Sequence, residues 1–235
     1  MANKEGIRMH IPVASDGCDL MIYQSDEFLF HTGTTVLVGC NGAGKTTLLR
    51  RMRTALKADG APCLLHEHMR ARDEISARLQ FSSHLTAEDY DAALAPNWQS
   101  EGEGHAQDLL TMVPSFGDFV MRNPSEHKER WLLLDGMESG MSIDMDDELT
   151  NLMDVIEGNI PAGIELYLIM ATNSYEIAKG RDCIDVSTAE HVTFDDYETY
   201  AAFVRQSRKE KDARRKISDE EWDGGMSEDM PRVLR

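Results

Sequence analysis

Eight consecutive residues, Gly39-Cys40-Asn41-Gly42-Ala43-Gly44-Lys45-Thr46, place glycines, a lysine and a hydroxyl at the spacing GxxxxGK[ST]. Glycines at those positions let backbone N–H groups turn inward around an anion, and the helix that should begin at Lys45 adds the partial positive charge of its N-terminus. Lys45 then reaches the β and γ phosphates of a nucleotide, and Thr46 supplies a hydroxyl to Mg2+. A second chemical position is Asp135, which ends the apolar run Trp131-Leu132-Leu133-Leu134. A strand delivering one carboxylate to its C-terminal end puts it where ligands of parallel sheets bind, and Asp135 is expected to hold the Mg2+ through a water.

These residues work only on a particular frame, with a buried strand before the glycines and a helix after them. The chain supplies it. Short β-rich runs at 20–23, 27–31 and 35–38 predict two or three antiparallel strands feeding a buried one. Leu48, Leu49, Met52 and Leu56 share one face of a helix over 45–57, ended by Gly60-Ala61-Pro62. Further strands are expected at 63–66, 131–134, 164–170 and 183–186, with helices at 102–121, 144–157, from 175 and at 195–216, and a polar loop at 123–130. Strands alternating with helices predict an α/β fold, a mostly parallel sheet covered on both faces.

Composition agrees with a folded domain: 235 residues, 41% hydrophobic and 28% charged, enough chain for a substantial core without staples. The net charge of −18 argues against a surface that coats nucleic acid or anionic membrane indiscriminately. Basic charge concentrates at 205–216, where seven basic residues stand against two acidic ones. This segment could meet nucleic acid or a protein partner, or be a solvated helix with pairs such as Arg208 with Asp212 and Glu210 with Arg214. Residues 217–235 have the composition of a frayed, disordered acidic tail. Cys18, Cys40, Cys63 and Cys183 show no metal or disulfide spacing, no long apolar run is present, and the N-terminus lacks a signal-peptide core. A cytoplasmic protein with reduced thiols and no membrane insertion is expected. His66 and His68 on a strand could be a fragment of a metal site, but no third ligand pattern accompanies them. Asp144, Asp146, Asp147 and Glu148 open a helix, where carboxylates favour the dipole.

The run Gly39-x-Asn41-Gly-x-Gly-Lys-Thr46-Thr47-Leu-Leu49, followed by Leu132-Leu-Leu-Asp135 and Ser139-Gly-Met-Ser142, resembles the ABC ATPase superfamily. It is most similar to short stand-alone bacterial and phage ABC-like ATPases, related to chromosome-maintenance and recombination-repair ATPase heads. The resemblance spans most of residues 15–190 and implies one domain over 1–216, with a helical signature segment at about 70–125 and a small N-terminal antiparallel β part. It makes Ser139–Ser142 the D-loop and Ser100-Glu101-Gly102-Glu103 the signature, with Ser100, Gly102 and Glu103 contacting ATP held by another copy. It also implies ATP as the nucleotide, an ATP-dependent homodimer, a glutamine near Mg2+, for which Gln80 is the candidate ahead of Gln99, and an aromatic for adenine, Tyr23 or Phe30. Rapidly hydrolysing relatives carry Glu after the Asp135 position, where this chain has Gly136; Glu138 is the substitute candidate. Many carry His at the position of Asn173. Both departures predict slow turnover, and so a nucleotide-controlled switch acting on a protein or nucleic-acid partner. The alternative is the nucleotide-binding subunit of an ABC membrane transporter.

Overall fold

The computed structural model describes residues 6–11, 23–67, 116, 118–120, 127–137 and 143–225, with the backbone alone at 143–145, 148 and 215–225. Its elements are β1 (Gly6–His10), β2 (Glu27–His31), β3 (Gly33–Val38), α1 (Lys45–Ala58), β4 (Cys63–Glu67), β5 (Glu129–Asp135), α2 (Ile143–Gly158), β6 (Glu165–Ala171), α3 (Tyr175–Ala178), β7 (Asp182–Asp185), β8 (His191–Val192) and α4 (Tyr197–Gly225). Strands β1 and β2 form an antiparallel ribbon, and the other six form one sheet in the order β4-β5-β6-β3-β7-β8. Every pairing in that sheet is parallel except β7 with β8. The expected α/β class, parallel sheet and N-terminal antiparallel part are therefore present.

Period-two alternation sorts the strand side chains into two cores. Trp131, Leu133, Tyr167, Ile169, Leu37 and Ile184 pack with Leu48, Leu49, Met52 and Leu56 of α1 and with Phe28 and Phe30 of the ribbon. Leu132, Leu134, Leu168, Met170, Val36 and Val38 face the other way, against Leu149 and Met153 of α2 and Ile177 of α3. Trp131 stacks on Tyr167 with ring centroids 4.3 Å apart. Because both faces are covered, the sheet exposes its strand ends, and chemistry is confined there.

Several boundaries differ from expectation for physical reasons. Strand β5 begins at Glu129, inside the expected polar loop, because Arg130 is buried with its guanidinium donating to the carbonyls of His127 and Glu129. Helix α4 starts at Tyr197 because the Asp196 carboxylate accepts from the backbone N–H and hydroxyl of Thr199. It continues to Gly225, through residues where a frayed tail was expected and where no proline or early glycine stops it. Tyr23 lies outside any strand, and β1 was not anticipated, since its alternating residues Ile7 and Met9 are only half-buried. Of the helix expected at 102–121, residues 116 and 118–120 are described and are helical. Among the described residues, no helix is long and apolar enough to cross a membrane.

Candidate nucleotide site

Strand β3 is buried to its last residue, Val38, and the chain leaves it at the C-terminal edge of the sheet through Gly39, Gly42 and Gly44, with φ of +148°, +76° and +99°. Those left-handed values are what turn the loop's amides inward. A Cβ at Gly39 would lie 3.1 Å from that of Ala43, so the turn closes only around glycine. Gly44 caps α1 without a side-chain hydrogen bond. The first-turn amides of α1 therefore face the loop's hollow without a capping side chain.

Lys45 is buried, and its Nζ donates to the carbonyls of Gly39 (2.7 Å) and Cys40 (3.3 Å) and to Oδ1 of Asn173 (2.8 Å). Asn173 follows β6, the strand hydrogen-bonded to β3, which is why two residues 128 apart in sequence meet. Thr46 Oγ1 donates to Asp135 Oδ1 at 3.1 Å, reaching from the start of α1 to the end of β5. Burial pushes the Asp135 carboxyl above its usual range, and the Glu67 charge adds to this, against the hydrogen bond from Thr46 and the charges of Arg50 and Lys45. A hydroxyl and a partly desolvated carboxylate converging with oxygen atoms alone fit Mg2+. Glu67, the last residue of β4, stands beside Asp135 in the strand register and accepts a hydrogen bond from Arg50 of α1.

The other side of the loop is held by α4. The Cys40 N–H donates to Ser207 Oγ at 3.2 Å, and Lys211 Nζ donates to the Asn41 carbonyl at 2.9 Å. Arg214 donates to Ser187 Oγ, just beyond β7. Part of the basic segment thus serves the phosphate loop, while Arg205, Arg208 and Lys209 are exposed. From beneath, the Tyr23 hydroxyl donates to the Gly44 carbonyl at 2.7 Å. Burial raises that hydroxyl's pKa to about 12, against the influence of Arg51 and a Thr47 hydrogen bond.

The site therefore unites Gly39, Asn41, Gly42, Ala43, Gly44, Lys45, Thr46, Thr47, Asp135 and Asn173. Gln80, Gln99, Ser100, Gly102, Glu103, Glu138 and the Ser139–Ser142 segment lie outside the described residues. The two aromatic candidates for adenine are core instead: Tyr23 is buried edge-on to Phe28, and Phe30 is enclosed by Phe28 and Trp131. His66 packs edge-on against Phe116, which accounts for it without a metal, and His68 lies outside the described residues. Asp146 is not only a helix-dipole residue, since its carboxylate accepts from Ser174 Oγ at 2.5 Å and so ties α2 to the segment holding Asn173. Sequence reading missed Glu67, Ser207 and Lys211. Only Glu67 left a signal, ending an apolar strand in a carboxylate as Asp135 does.

A parallel sheet with a left-handed glycine loop, a lysine inside it and a Thr–Asp pair at the neighbouring strand ends defines a P-loop NTPase. A family model described as an AAA domain matches residues 27–177, and the chain belongs to that family. No curated protein matches it. Nucleotide binding and ATPase chemistry go with this class of domain; β7, β8 and α4 lie beyond the matched segment.

Proposed function

We propose that this chain is a Mg2+-dependent ATPase of ABC type with slow turnover, a switch that pairs with a second copy when ATP is bound and acts on a protein or nucleic-acid partner. The observation that carries the nucleotide reading is the convergence of Lys45, Asn173, Thr46 and Asp135 at the open edge of the sheet. The ABC-type reading is supported by the SEGE run at 100–103, the SGMS run at 139–142 and their order around Asp135.

In this reading, backbone N–H groups of the 39–46 loop donate to the phosphate oxygens, and Lys45 exchanges its carbonyl partners for them. Asn173 holds Lys45 from the side and donates its amide toward the terminal phosphate. Thr46 and Asp135 hold Mg2+, which when bound neutralises charge developing on the phosphates. Glu67, engaged by Arg50, stands beside Asp135 and adds to the negative field there. Gly136, with φ +65°, turns the chain away directly after Asp135 and offers no carboxylate there. In this reading Glu138 is the candidate for activating water, and turnover is expected below about 10 per second, the median for enzymes. Arg205, Arg208 and Lys209 on the outer side of α4 are the partner-facing charges.

Light scattering with Mg-ATP, Mg-ADP and no nucleotide tests the switch. The dimer is expected with ATP alone and is lost in Lys45→Ala and in Ser100→Arg. A mass indifferent to bound ATP, or steady-state turnover well above 10 per second, contradicts it.

A further inference from the structure

At the end of the parallel strands opposite the phosphate loop, three side chains from three strands converge: His31 from the end of β2, Asp182 from the start of β7 and His191 from the start of β8. One nitrogen or oxygen from each lies within 4.8 Å of the others. Asp182 bridges the rings, with Oδ2 3.0 Å from His31 Nδ1 and Oδ1 2.6 Å from His191 Nδ1. The imidazole centroids are 4.9 Å apart. The side chains are 26%, 27% and 30% exposed, enclosed enough to be held and open enough for an ion to enter.

Proton accounting at His191 is informative. Its Nε2 lies 3.0 Å from the Leu29 carbonyl, and its Nδ1 faces the Asp182 carboxylate. Both partners are acceptors, whereas a neutral imidazole carries one N–H. With one proton at Nε2 donating to Leu29, either a second proton on Nδ1 or a metal cation bound between Nδ1 and Asp182 satisfies the arrangement. An N–H fixed on a backbone carbonyl is also how metal-ligating histidines are oriented. At zinc–ligand lengths the donor atoms of a tetrahedral site stand roughly 3.3 Å apart, so the two carboxylate–imidazole pairs, at 3.0 and 2.6 Å, each need to open by less than an ångström. Gly6 faces His31 in the ribbon, and a Cβ there would lie 3.0 Å from the ring's Cδ2, so a glycine leaves the ring its place.

We propose that His31, Asp182 and His191 bind one divalent transition-metal ion, Zn2+ or a close neighbour, which ties the β1–β2 ribbon to the β7–β8 edge of the main sheet. Two imidazoles and one carboxylate suit such borderline cations, whereas Mg2+ prefers oxygen donors alone. The site is separate from the nucleotide: Asp182 pairs with Thr35 of β3, three residues and roughly 10 Å along the strand from Val38, after which the phosphate loop begins. Asp182 and His191 fall outside residues 27–177, so the family match does not account for them.

The test uses the full chain without affinity-tag histidines, stripped with a chelator and titrated with ZnCl2 in excess Mg2+, then with Co2+ followed by visible absorption. One equivalent of Zn2+ per chain, a rise in melting temperature and a Co2+ spectrum of histidine coordination are expected. Asp182→Asn and His191→Gln weaken binding by tenfold or more and abolish the melting shift, while His10→Gln changes neither. His191 is on the surface, so His191→Gln keeps its fold by circular dichroism and the result remains readable if Asp182→Asn does not fold. No saturable binding to the unaltered chain overturns the proposal and leaves a hydrogen-bonded His–Asp–His bridge. Equally tight binding in folded His191→Gln also overturns it.

Discussion

On one flank of the phosphate loop, Lys45 and Thr46 meet Asn173 and Asp135 on strands of the same sheet, inside the segment that matches the AAA domain. On the other flank, Cys40 and Asn41 are held by Ser207 and Lys211 of a helix beyond that segment. The first flank uses residues whose types the chemistry dictates, because only a cation, a hydroxyl and a carboxylate can hold phosphate and magnesium. The second uses a serine and a lysine that any helix can carry. It shapes the loop without contributing a metal ligand. Substitutions on the first flank should therefore disable chemistry, and those on the second should chiefly loosen the loop.

Asp135→Asn gives the largest contrast. Mg2+-dependent hydrolysis is expected to fall by about 10- to 100-fold, as when a partner that holds a metal through water is lost. The nucleotide-free fold should become more stable. Burial, with the nearby Glu67 charge, raises the Asp135 carboxyl above its unfolded value despite the hydrogen bond from Thr46. A group raised in this way lends stability fully below its unfolded pKa and loses it as pH rises through the folded pKa. Asparagine does not titrate, so the variant's melting advantage should grow from acid toward neutral pH. Thermal unfolding of both chains across that range checks the sign.

Ser207→Ala should cost less in chemistry and more in stability than its exposed neighbours. Ser207 is buried, and its loss strands the Cys40 N–H without its acceptor. A cost of about 1–3 kcal/mol by urea unfolding is expected, with Mg2+-dependent turnover changed less than in Asp135→Asn. An unchanged midpoint would mean that α4 does not hold the loop.

Lys211→Ala is the mildest. Its side chain is 34% exposed, so the field it adds beside the loop is screened. ATP affinity should fall by about three- to fivefold at low salt, and the difference should vanish at high ionic strength. Isotherms at two salt concentrations check this, and a salt-independent loss would point to a direct phosphate contact.

Legibility in the sequence follows the same division. The loop, α1 and β5 could be read because each rests on a local pattern, namely glycine spacing, a 3.6-residue face and an apolar run ending in a carboxylate, whereas Asn173 came from the resemblance, as the residue standing where many relatives carry His. Glu67 lies one residue past the strand expected at 63–66, whereas β4 runs to Glu67 itself. Ser207 and Lys211 could not be found, since nothing in a helix's own residues says which loop it crosses. The pairs Arg208 with Asp212 and Glu210 with Arg214 fit a solvated helix, while the structure turns Lys211 to Asn41 and Arg214 to Ser187. The His31, Asp182 and His191 group was hidden for a related reason, as the three residues stand on three separate strands until β7 and β8 fold back beside the ribbon.

The central claim is that residues 39–46 bind Mg-ATP through Lys45, and calorimetric titration of the full chain with Mg-ATP tests it most directly. One saturable site per chain is predicted, weakened by at least about 100-fold, close to 3 kcal/mol, in Lys45→Ala. No binding to the unaltered chain, or an unchanged isotherm in the folded Lys45→Ala chain, would contradict it.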